Sequence, residues 1–332
     1  MLNFCTLFDS FYLDKGIALY RSLERVSDCF KIFIFCFDDL SRDILNSMKF
    51  EHAIILHHSA FENDDLLKLK RERSKAEYCW TCTPVIIEYV LDHFEVDDCT
   101  YIDADLYFFD NPQVLFDEIK VNYANIGITS HRFSDGLKDR WLCRRSGKFC
   151  VEFNFFDQTP NSREALKWWR EQCAEWCFHL YEAERMGDQK YIEKFSLLFN
   201  GVYEFQNLGG GVAPWNLNQY VYDHSENKRI YLKNKRDGTV FPVIYYHFQN
   251  LRFLSENIVN VSSETHSKKT KDALYIPYLK EIKKCREELK KKDVIFKVKK
   301  TYSSNALISF LQGSVLRYKI KSISDIYHIS DL

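Results

Sequence analysis

Two kinds of hydrophobic pattern alternate along the first third of the chain. Short apolar runs that end at acidic residues, residues 3–8 before Asp9 and 31–37 before Asp38, predict buried strands. Between them, over residues 13–25, apolar positions recur every three or four residues, which predicts a helix packed on one face. Strands that alternate with helices indicate an α/β domain whose mostly parallel, Rossmann-like sheet is flanked by helices.

The same patterns predict the remaining elements. Further strands are predicted at 54–56, 100–103, 126–129, 151–156, 243–247 and 294–298, and further helices at 66–75, at 83–93, from Ser162 to Tyr181, from Lys190 onward, and along a stripe formed by Ile282, Cys285 and Leu289. Pro84 is expected in the first turn of its helix, where no backbone N–H is needed, and Ser162 is expected to cap its own helix. Glycines 209–211 predict a loop whose backbone passes close to another group.

Composition and charge divide the chain into two parts. With 46% hydrophobic residues, its 332 residues can fill the core of one large α/β domain and still form an extension. The chain carries a net charge of −1, yet residues 267–321 hold 16 lysines and arginines against 5 acidic residues. We therefore predict a domain at 1–265, followed by a basic helical extension at 266–332.

The cysteines bear on the compartment and on metal binding. Eleven cysteines, and an N-terminus without a basic segment followed by an apolar one, predict reduced thiols in a cytoplasmic protein. Cys79 and Cys82 have the spacing of half a zinc site, but no second pair accompanies them, so we expect a structural role. Residues 301–316 are uncharged, but this stretch is too short and too polar to cross a bilayer, so an integral membrane protein is not expected.

Two aspartates follow the strand predicted at 100–103. Asp103 and Asp105 are two residues apart, and side chains at this spacing on an extended strand point to the same side. Carboxylate oxygens bind hard divalent cations, and such a cation can neutralise the charge of a leaving diphosphate. Paired acids at a strand end are also common without a metal, so the pair alone leaves both interpretations open.

Two other polar positions have ordinary structural interpretations beside the functional ones. Gly187-Asp188-Gln189 precedes the helix predicted from Lys190, and Asp188 could simply cap that helix. His247 ends a β-rich run, where a single histidine is more often a core or solvent-facing residue than a ligand. Each signal is weak when taken alone.

Taken in order, these motifs resemble glycosyltransferase family 8, a group of retaining enzymes with the fold called GT-A. The matching segments are Phe8-Asp9-Ser-Phe-Tyr12, Arg73-Ser-Lys75-Ala-Glu-Tyr78, Tyr101-Ile-Asp103-Ala-Asp105, Phe153-Asn154-Phe-Phe156, Gly187-Asp188-Gln189 and His247-Phe-Gln-Asn-Leu-Arg252. The resemblance covers roughly residues 3–255. The chain departs from the family pattern at three positions, because Phe156 and Asn250 replace glycines and Arg252 stands near the usual lysine.

The resemblance implies a nucleotide-sugar site on the GT-A fold. Asp103, Asp105 and His247 would bind Mn²⁺ or Mg²⁺, and a ligand set that mixes imidazole and carboxylates favours Mn²⁺. The donor would be lined by Phe8, Asp9, Lys75, Ala104, Asn154 and Arg252, with Asp9 on the uracil or ribose and the two cations on phosphate or sugar oxygens. Asp188 and Gln189 would be the catalytic pair beside the donor sugar.

The implied activity is that of a hexosyltransferase. It would move a hexose or N-acetylhexosamine from a UDP-sugar to a glycan or lipid-linked acceptor, with retention, in the synthesis of a bacterial surface polysaccharide such as lipopolysaccharide or capsule. Acceptor contacts are expected on loops at 130–150 and 205–225. The basic extension is either a solvated helix or an anchor to anionic lipid on the inner face of the cytoplasmic membrane, and a nucleic-acid partner is not expected.

Three rival functions stay open at this point. An inverting transferase with the same fold would use a carboxylate as the base toward the acceptor. A sugar nucleotidyltransferase would need a glycine-rich phosphate loop after the first strand, where this chain has Phe8-Asp9-Ser-Phe-Tyr12. A non-catalytic sugar-nucleotide-binding protein would keep its function after loss of a metal ligand.

Overall fold

The computed structural model describes residues 1–261, 267–296 and 326–332. The chain divides into two compact units, the first formed by 1–212 with 243–247 and the second by 213–242 with the described part of 248–332. The boundary predicted between 265 and 266 falls within the stretch 262–266, which lies outside the described residues, so that boundary stays a prediction.

A seven-stranded sheet organises the first unit. Its strands are β1 (Leu2–Phe8), β2 (Phe30–Cys36), β3 (Ala53–His57), β4 (Asp98–Ile102), β6 (Ile126–Ser130), β7 (Phe149–Asp157) and β8 (Val202–Glu204), and a separate antiparallel pair is formed by β5 (Leu106–Phe108) and β12 (Tyr245–His247). The order across the sheet is β3-β2-β1-β4-β7-β6-β8, and β7 alone in this sheet runs antiparallel to its neighbours. The predicted mostly parallel α/β sheet is therefore confirmed.

Helices cover the sheet of the first unit. They are α1 (Leu13–Val26), α2 (Asp39–Met48), α3 (Asp64–Glu72), α4 (Lys75–His93), α5 (Gln113–Val121), α6 (Leu137–Ser146), α7 (Pro160–Glu175) and α8 (Phe195–Leu198). Fully buried side chains of β2, α4 and α7, including Phe33, Ile86 and Trp169, belong to one apolar core. Burial of this area drives the helices onto the sheet and leaves the strand ends free to carry polar groups.

The start of α4 corrects two predictions. The helix predicted at 66–75 ends at Glu72, and α4 begins at Lys75 instead of residue 83. The reason is a capping box, in which the hydroxyl of Ser74 accepts from the backbone N–H of Glu77 while the Glu77 carboxylate accepts from the backbone N–H of Ser74. The placement of Pro84 in a first turn is therefore wrong, since it lies inside the helix.

The predicted ends of two later helices are also wrong. Thr159, not Ser162, caps α7, because its hydroxyl accepts from the Ser162 backbone and Pro160 takes the first helical position. The helix ends at Glu175, well before Tyr181. After Asp188 the chain forms a 3₁₀-helix over Gln189–Lys194, and the α-helical turn begins only at Phe195.

The second unit combines short strands with one long helix. Its elements are β9 (Tyr220–Glu226), β10 (Arg229–Asn234), β11 (Val240–Pro242), β13 (Arg252–Phe253), β14 (Ile258–Asn260), α9 (Lys268–Lys290) and β15 (Ile326–His328). The predicted stripe is confirmed, because Ile282, Cys285 and Leu289 are all buried on α9. The strand predicted at 294–298 is not formed over 294–296, and its last two residues lie outside the described range, as does 301–316. In the part of the chain that the structure describes, every helix is too short or too polar to span a membrane.

Candidate functional site

Asp103 and Asp105 lie where β4 ends and the chain turns. The backbone N–H of Leu106 donates to the carbonyl of Asp103 at 3.1 Å, which closes the turn between β4 and β5. The backbone N–H of Asp103 donates to the carbonyl of Glu152 at 3.1 Å and so fixes the turn against β7. Asp103 and Asp105 thereby lie together just beyond the end of β4, in the turn and not on the strand itself.

His247 reaches these aspartates through strand pairing. In the β5–β12 pair, His247 lies opposite Leu106, one residue beyond Asp105. Its Nε2 atom is 3.1 Å from Oδ1 of Asp105 and 3.6 Å from Oδ2 of Asp103. Two carboxylates and one imidazole nitrogen thus converge in a group that could hold a metal ion.

A buried carboxylate holds the other face of the imidazole. Nδ1 of His247 is 2.6 Å from Oε2 of Glu152, whose side chain is fully buried in β7. Oε1 of Glu152 accepts from the hydroxyl of Tyr245 at 3.3 Å. A carboxylate on the second ring nitrogen fixes the tautomer that turns Nε2 toward a metal. Sequence reasoning missed Glu152, although an acid inside the apolar strand predicted at 151–156 was a signal for it.

The predicted glycine loop packs against this carboxylate. Gly211 has φ +83°, and a Cβ atom built on it would lie 3.3 Å from Oε1 of Glu152 and 3.0 Å from a methyl of Thr129. A larger residue would therefore meet both a strained backbone and a crowded neighbour. The expectation that this backbone passes close to another group is confirmed.

A second possible ligand set shares His247 but fits a metal less well. Cys150, Glu152 and His247 also cluster, and the Cys150 thiol lies 3.8 Å from Oε2 of Glu152. Burial raises the pKa of Cys150 to about 12, so its sulfur stays protonated at neutral pH. Because metals bind the thiolate and not the thiol, the aspartate pair is the better partner for His247.

The charges of the cluster balance one another only in part. Burial raises the pKa of Asp103 to about 6. Burial also acts to raise the pKa of Asp105, but the nearby His247 outweighs it and the pKa falls below its usual value. Burial acts to lower the pKa of His247, yet Asp105 and Glu152 raise it well above the usual range. The carboxylates thus outnumber the one imidazole, which favours binding of a cation.

Two residues of the first helical turns complete the surroundings of Asp105. The Tyr12 hydroxyl has a raised pKa, first because Asp105 is near and then because the surrounding groups partly desolvate it, although the side chain as a whole is exposed. The Lys15 ammonium lies 4.0 Å from the centre of the Tyr12 ring, and its charge contributes to lowering the pKa of Asp105. The sequence alone gave neither residue a role. The available signal was that Tyr12 and Lys15 follow Asp9 at intervals of three residues, the spacing that places side chains on one face of a helical segment.

The basic motif at 73–78 splits into two different environments. Lys75 forms an ion pair with Asp9, whose other oxygen accepts from the backbone of Phe11 at 2.9 Å. Arg73 is buried and donates to the carbonyls of Cys173 and Ala174, at 2.7 and 2.6 Å, at the end of α7. Of these two cations, the structure therefore brings Lys75 to Asp9 and uses Arg73 to hold a helix end.

The residues predicted around the donor sugar are buried polar groups. Asn154 lies opposite Tyr101 in the β4–β7 pair, and neither polar atom of its amide has a hydrogen-bond partner among the described residues. Such an orphaned amide is what a sugar hydroxyl could satisfy. Asp188 is buried, and the amide of Gln189 donates to the carbonyl of Ser146.

The remaining predicted residues lie at three separate places. Phe8 is buried at the end of β1, where its ring packs over Gly16. Ala104 is buried between the two aspartates. Arg252 begins β13 in the second unit and is exposed. Its predicted contact with the donor stays a prediction.

Two proteins of Bacillus subtilis are similar to this chain in sequence. It is 32% identical over 266 residues to a protein of Bacillus subtilis (strain 168) named as uncharacterized protein YfnF, a match that covers 79% of this chain and 86% of the relative. The chain belongs to the YfnF family. Uncharacterized protein YfnD of the same strain is 29% identical over 294 residues, which cover 86% of this YfnF-family chain and 90% of YfnD. No family model matches the sequence.

A solved structure identifies the fold of this YfnF-family chain. Galactosyltransferase LgtC, solved with donor and acceptor sugar analogs, aligns with a TM-score of 0.50 and 14% identity over 85% of this chain and 96% of LgtC. The predicted GT-A fold is therefore confirmed. At this identity the likeness concerns the fold, and the chemistry has to be argued from the residues of the YfnF-family chain itself.

We expect Asp188→Asn to stabilise this YfnF-family protein increasingly as the pH rises. Burial, with repulsion from Asp103 next, raises the pKa of Asp188 to about 8, whereas an unfolded aspartate titrates near about 4. Between these values the native state keeps a proton that the unfolded chain loses, so the wild type loses stability as the pH rises through this window.

Asparagine cannot ionise, so the difference in Tm between variant and wild type should grow from about pH 4 to about pH 8 and then level off. Thermal unfolding in EDTA at several pH values measures it. Asp65→Asn, at an exposed position of α3, is the control. A difference that stays constant across the window would contradict the burial argument.

Proposed function

We propose that this protein is a metal-dependent retaining glycosyltransferase similar to family 8, which takes a hexose or N-acetylhexosamine from a UDP-sugar. The acceptor we propose is a glycan or lipid-linked sugar in bacterial surface polysaccharide synthesis, with the enzyme in the cytoplasm or on the inner face of the cytoplasmic membrane. One observation carries the proposal. Nε2 of His247 meets the carboxylates of Asp103 and Asp105, while its Nδ1 is held by the buried Glu152.

The residues present fit Mn²⁺ or Mg²⁺, with Mn²⁺ the better match. Imidazole nitrogen together with carboxylate oxygen suits Mn²⁺, and the carboxylate behind His247 is the usual support of a metal-binding histidine. When bound, the cation would neutralise the negative charge that develops on the departing nucleoside diphosphate.

The chain's own groups would bind and orient the donor around this cluster. Asp9 at the tip of β1 can accept hydrogen bonds from the uracil or ribose, and Lys75, paired with it, can turn to a phosphate oxygen. The unsatisfied amide of Asn154 can bind a sugar hydroxyl. Because its pKa is raised by burial, Asp188 can keep a proton and donate a hydrogen bond to the sugar as well as accept one. These contacts would supply positioning and electrostatic stabilisation.

The test of this function is donor turnover and donor binding with and without metal. We expect release of UDP from at least one of UDP-glucose, UDP-galactose and UDP-N-acetylglucosamine with Mn²⁺, and its loss in EDTA. UDP with Mn²⁺ at about 100 times Kd should stabilise the native state by about 2.7 kcal/mol, visible as a higher Tm.

Two results would contradict the proposal. If UDP binds equally well in EDTA, nucleotide binding at this site does not depend on a metal ion. An inverted anomeric configuration in the product would exclude retention and favour the inverting alternative on the same fold.

A further inference from the structure

An open, cationic pocket of about 440 Å³ lies beside the proposed catalytic pair. Its lining residues are Arg140, Cys143, Arg144, Ala183, Lys190 and Glu193. Two of its cations come from α6, and the third, Lys190, directly follows Gln189 in the chain. Three of its lining residues, Arg140, Cys143 and Arg144, fall within the 130–150 region expected to contact the acceptor, and none of the six has a role in the proposed donor site.

The charge of this pocket is not neutralised by the protein. Arg140, Arg144 and Lys190 face one acid, Glu193, which gives a formal charge of +2. Neither Arg140 nor Arg144 forms an ion pair with another described residue, and both side chains are exposed. One oxygen of Glu193 already accepts from the backbone N–H of Lys148 at 2.9 Å.

Lys190 and Gln189 hold the end of α6, and with it this pocket, next to the proposed reaction centre. The Lys190 ammonium is buried and donates to the carbonyls of Arg144 and Glu182 at 2.8 and 3.1 Å. The amide of Gln189 donates to the carbonyl of Ser146 in the same last turn of α6. An ammonium has three donors, so one of those of Lys190 can still serve a ligand. The end of α6 is therefore held by the same short segment that carries Asp188 and Gln189.

Two exposed aromatic rings lie around Arg145, a further cation of the same helix. Trp141 is 53% exposed and Tyr181 is 44% exposed. The guanidinium of Arg145 lies 4.2 Å from the centre of the first ring and 3.7 Å from the second, so one cation bridges both rings. Two rings held together at the surface by one cation form an aromatic patch, and aromatic faces suit the apolar faces of sugar rings.

We propose that this pocket binds a phosphoryl group carried by the glycan acceptor, while Trp141 and Tyr181 stack on its sugar rings. A phosphate monoester carries about −1.5 to −2 near neutral pH, which matches the pocket's charge. Arginine guanidinium groups bind phosphate oxygens in bidentate fashion. The proposal rests on the proposed function, since it names the acceptor class of the same site.

The test is calorimetric titration of the full-length protein, after saturation with UDP and Mn²⁺ so that the donor site cannot take the probe. The probes are a hexose phosphate monoester, the corresponding methyl phosphodiester, a methyl hexoside and a methyl glucuronide. We expect at least one phosphorylated probe to bind about tenfold or more tightly than the methyl hexoside, because charge-assisted hydrogen bonds are gained. A preference for the monoester indicates a terminal phosphate, and a preference for the diester indicates a phosphate link inside the acceptor.

Two variants separate the pocket from general charge effects. The double variant Arg140→Gln with Arg144→Gln should weaken binding of the phosphorylated probe about tenfold or more. Lys167→Gln removes an exposed cation from α7 and should leave that binding unchanged. Circular dichroism confirms that each variant is folded.

The proposal is overturned if the methyl hexoside or the glucuronide binds as tightly as the phosphorylated probes, or if the double variant binds like the wild type. Binding of UDP with Mn²⁺ is measured first on the same samples. If UDP with Mn²⁺ does not bind, that result counts against the proposed function alone. The probes are then titrated without UDP, so that binding of phosphate in the pocket is still measured.

Discussion

Asp105→Asn is expected to lower Mn²⁺-dependent UDP-sugar turnover by about 10³-fold or more. The reason is that a metal ion supplies several kcal/mol of charge stabilisation, and each 1.36 kcal/mol is tenfold in rate. Asparagine keeps the size of the side chain but loses the negative charge that lies 3.1 Å from Nε2 of His247. UDP binding in Mn²⁺ should weaken in parallel, because Asp105 would help to hold the cation that neutralises the diphosphate.

The measurement is steady-state turnover together with UDP binding, each with Mn²⁺ and with EDTA. Asp65→Asn removes an exposed carboxylate from α3 and should behave as the wild type. Thermal unfolding shows whether the variant is folded. A folded Asp105→Asn protein that keeps more than about a tenth of the wild-type turnover would exclude Asp105 as an essential metal ligand.

Glu152→Gln is expected to weaken Mn²⁺ binding about 10- to 100-fold, the usual effect of losing a carboxylate behind a metal-binding histidine. Oε2 of Glu152 lies 2.6 Å from Nδ1 of His247, and the side chain is fully buried. A neutral amide can still accept one hydrogen bond but no longer makes the imidazole a stronger ligand. Binding of Mn²⁺ to the protein without donor, followed by electron paramagnetic resonance of the free ion, measures this directly.

The metal-free protein adds a pH-dependent readout for the same variant. Burial by itself lowers the pKa of His247, but Asp105 and Glu152 raise it well above its usual value. A raised histidine pKa stabilises the native state fully below the unfolded pKa, about 6.5, and this stabilisation is lost as the pH rises through the folded pKa. The loss of Tm caused by Glu152→Gln should therefore be largest at about pH 6 and shrink at alkaline pH.

Glu164→Gln, at an exposed position of α7, is the matched control for both measurements. Unchanged Mn²⁺ affinity in a folded Glu152→Gln protein would show that the buried carboxylate does not support His247 as a ligand.

Local patterns predicted most of the first unit but failed where capping decides a boundary. The strands β1, β2, β6 and β7 lie where apolar runs placed them, because burial of a whole strand leaves a visible run. The start of α4 was placed too late, since the apolar pattern begins near Thr83 while the cap at Ser74 is polar. Pro84 also argued against a helix that begins at Lys75, because proline is unfavourable inside a helix.

For the candidate site, the two-residue spacing of Asp103 and Asp105 predicted that both carboxylates could reach one ion, and the turn that follows β4 brings them together. The order of the motifs also carried the resemblance to a GT-A fold, which the structure confirms. The first of these properties depends on residues near one another in the chain, and the second depends on the order of short motifs along it.

The family resemblance implied that His247 joins the two aspartates, but the physical means by which distant groups meet those carboxylates is visible only in the folded chain. Pairing of β12 with β5 places His247 beside Asp105, and β7 places Glu152 behind that imidazole although the two are 95 residues apart in the chain. Tertiary packing also sets the contacts of Arg73, which donates to two carbonyls at the end of α7. Register between strands and packing between helices arise from the whole core, so no local pattern encodes these contacts.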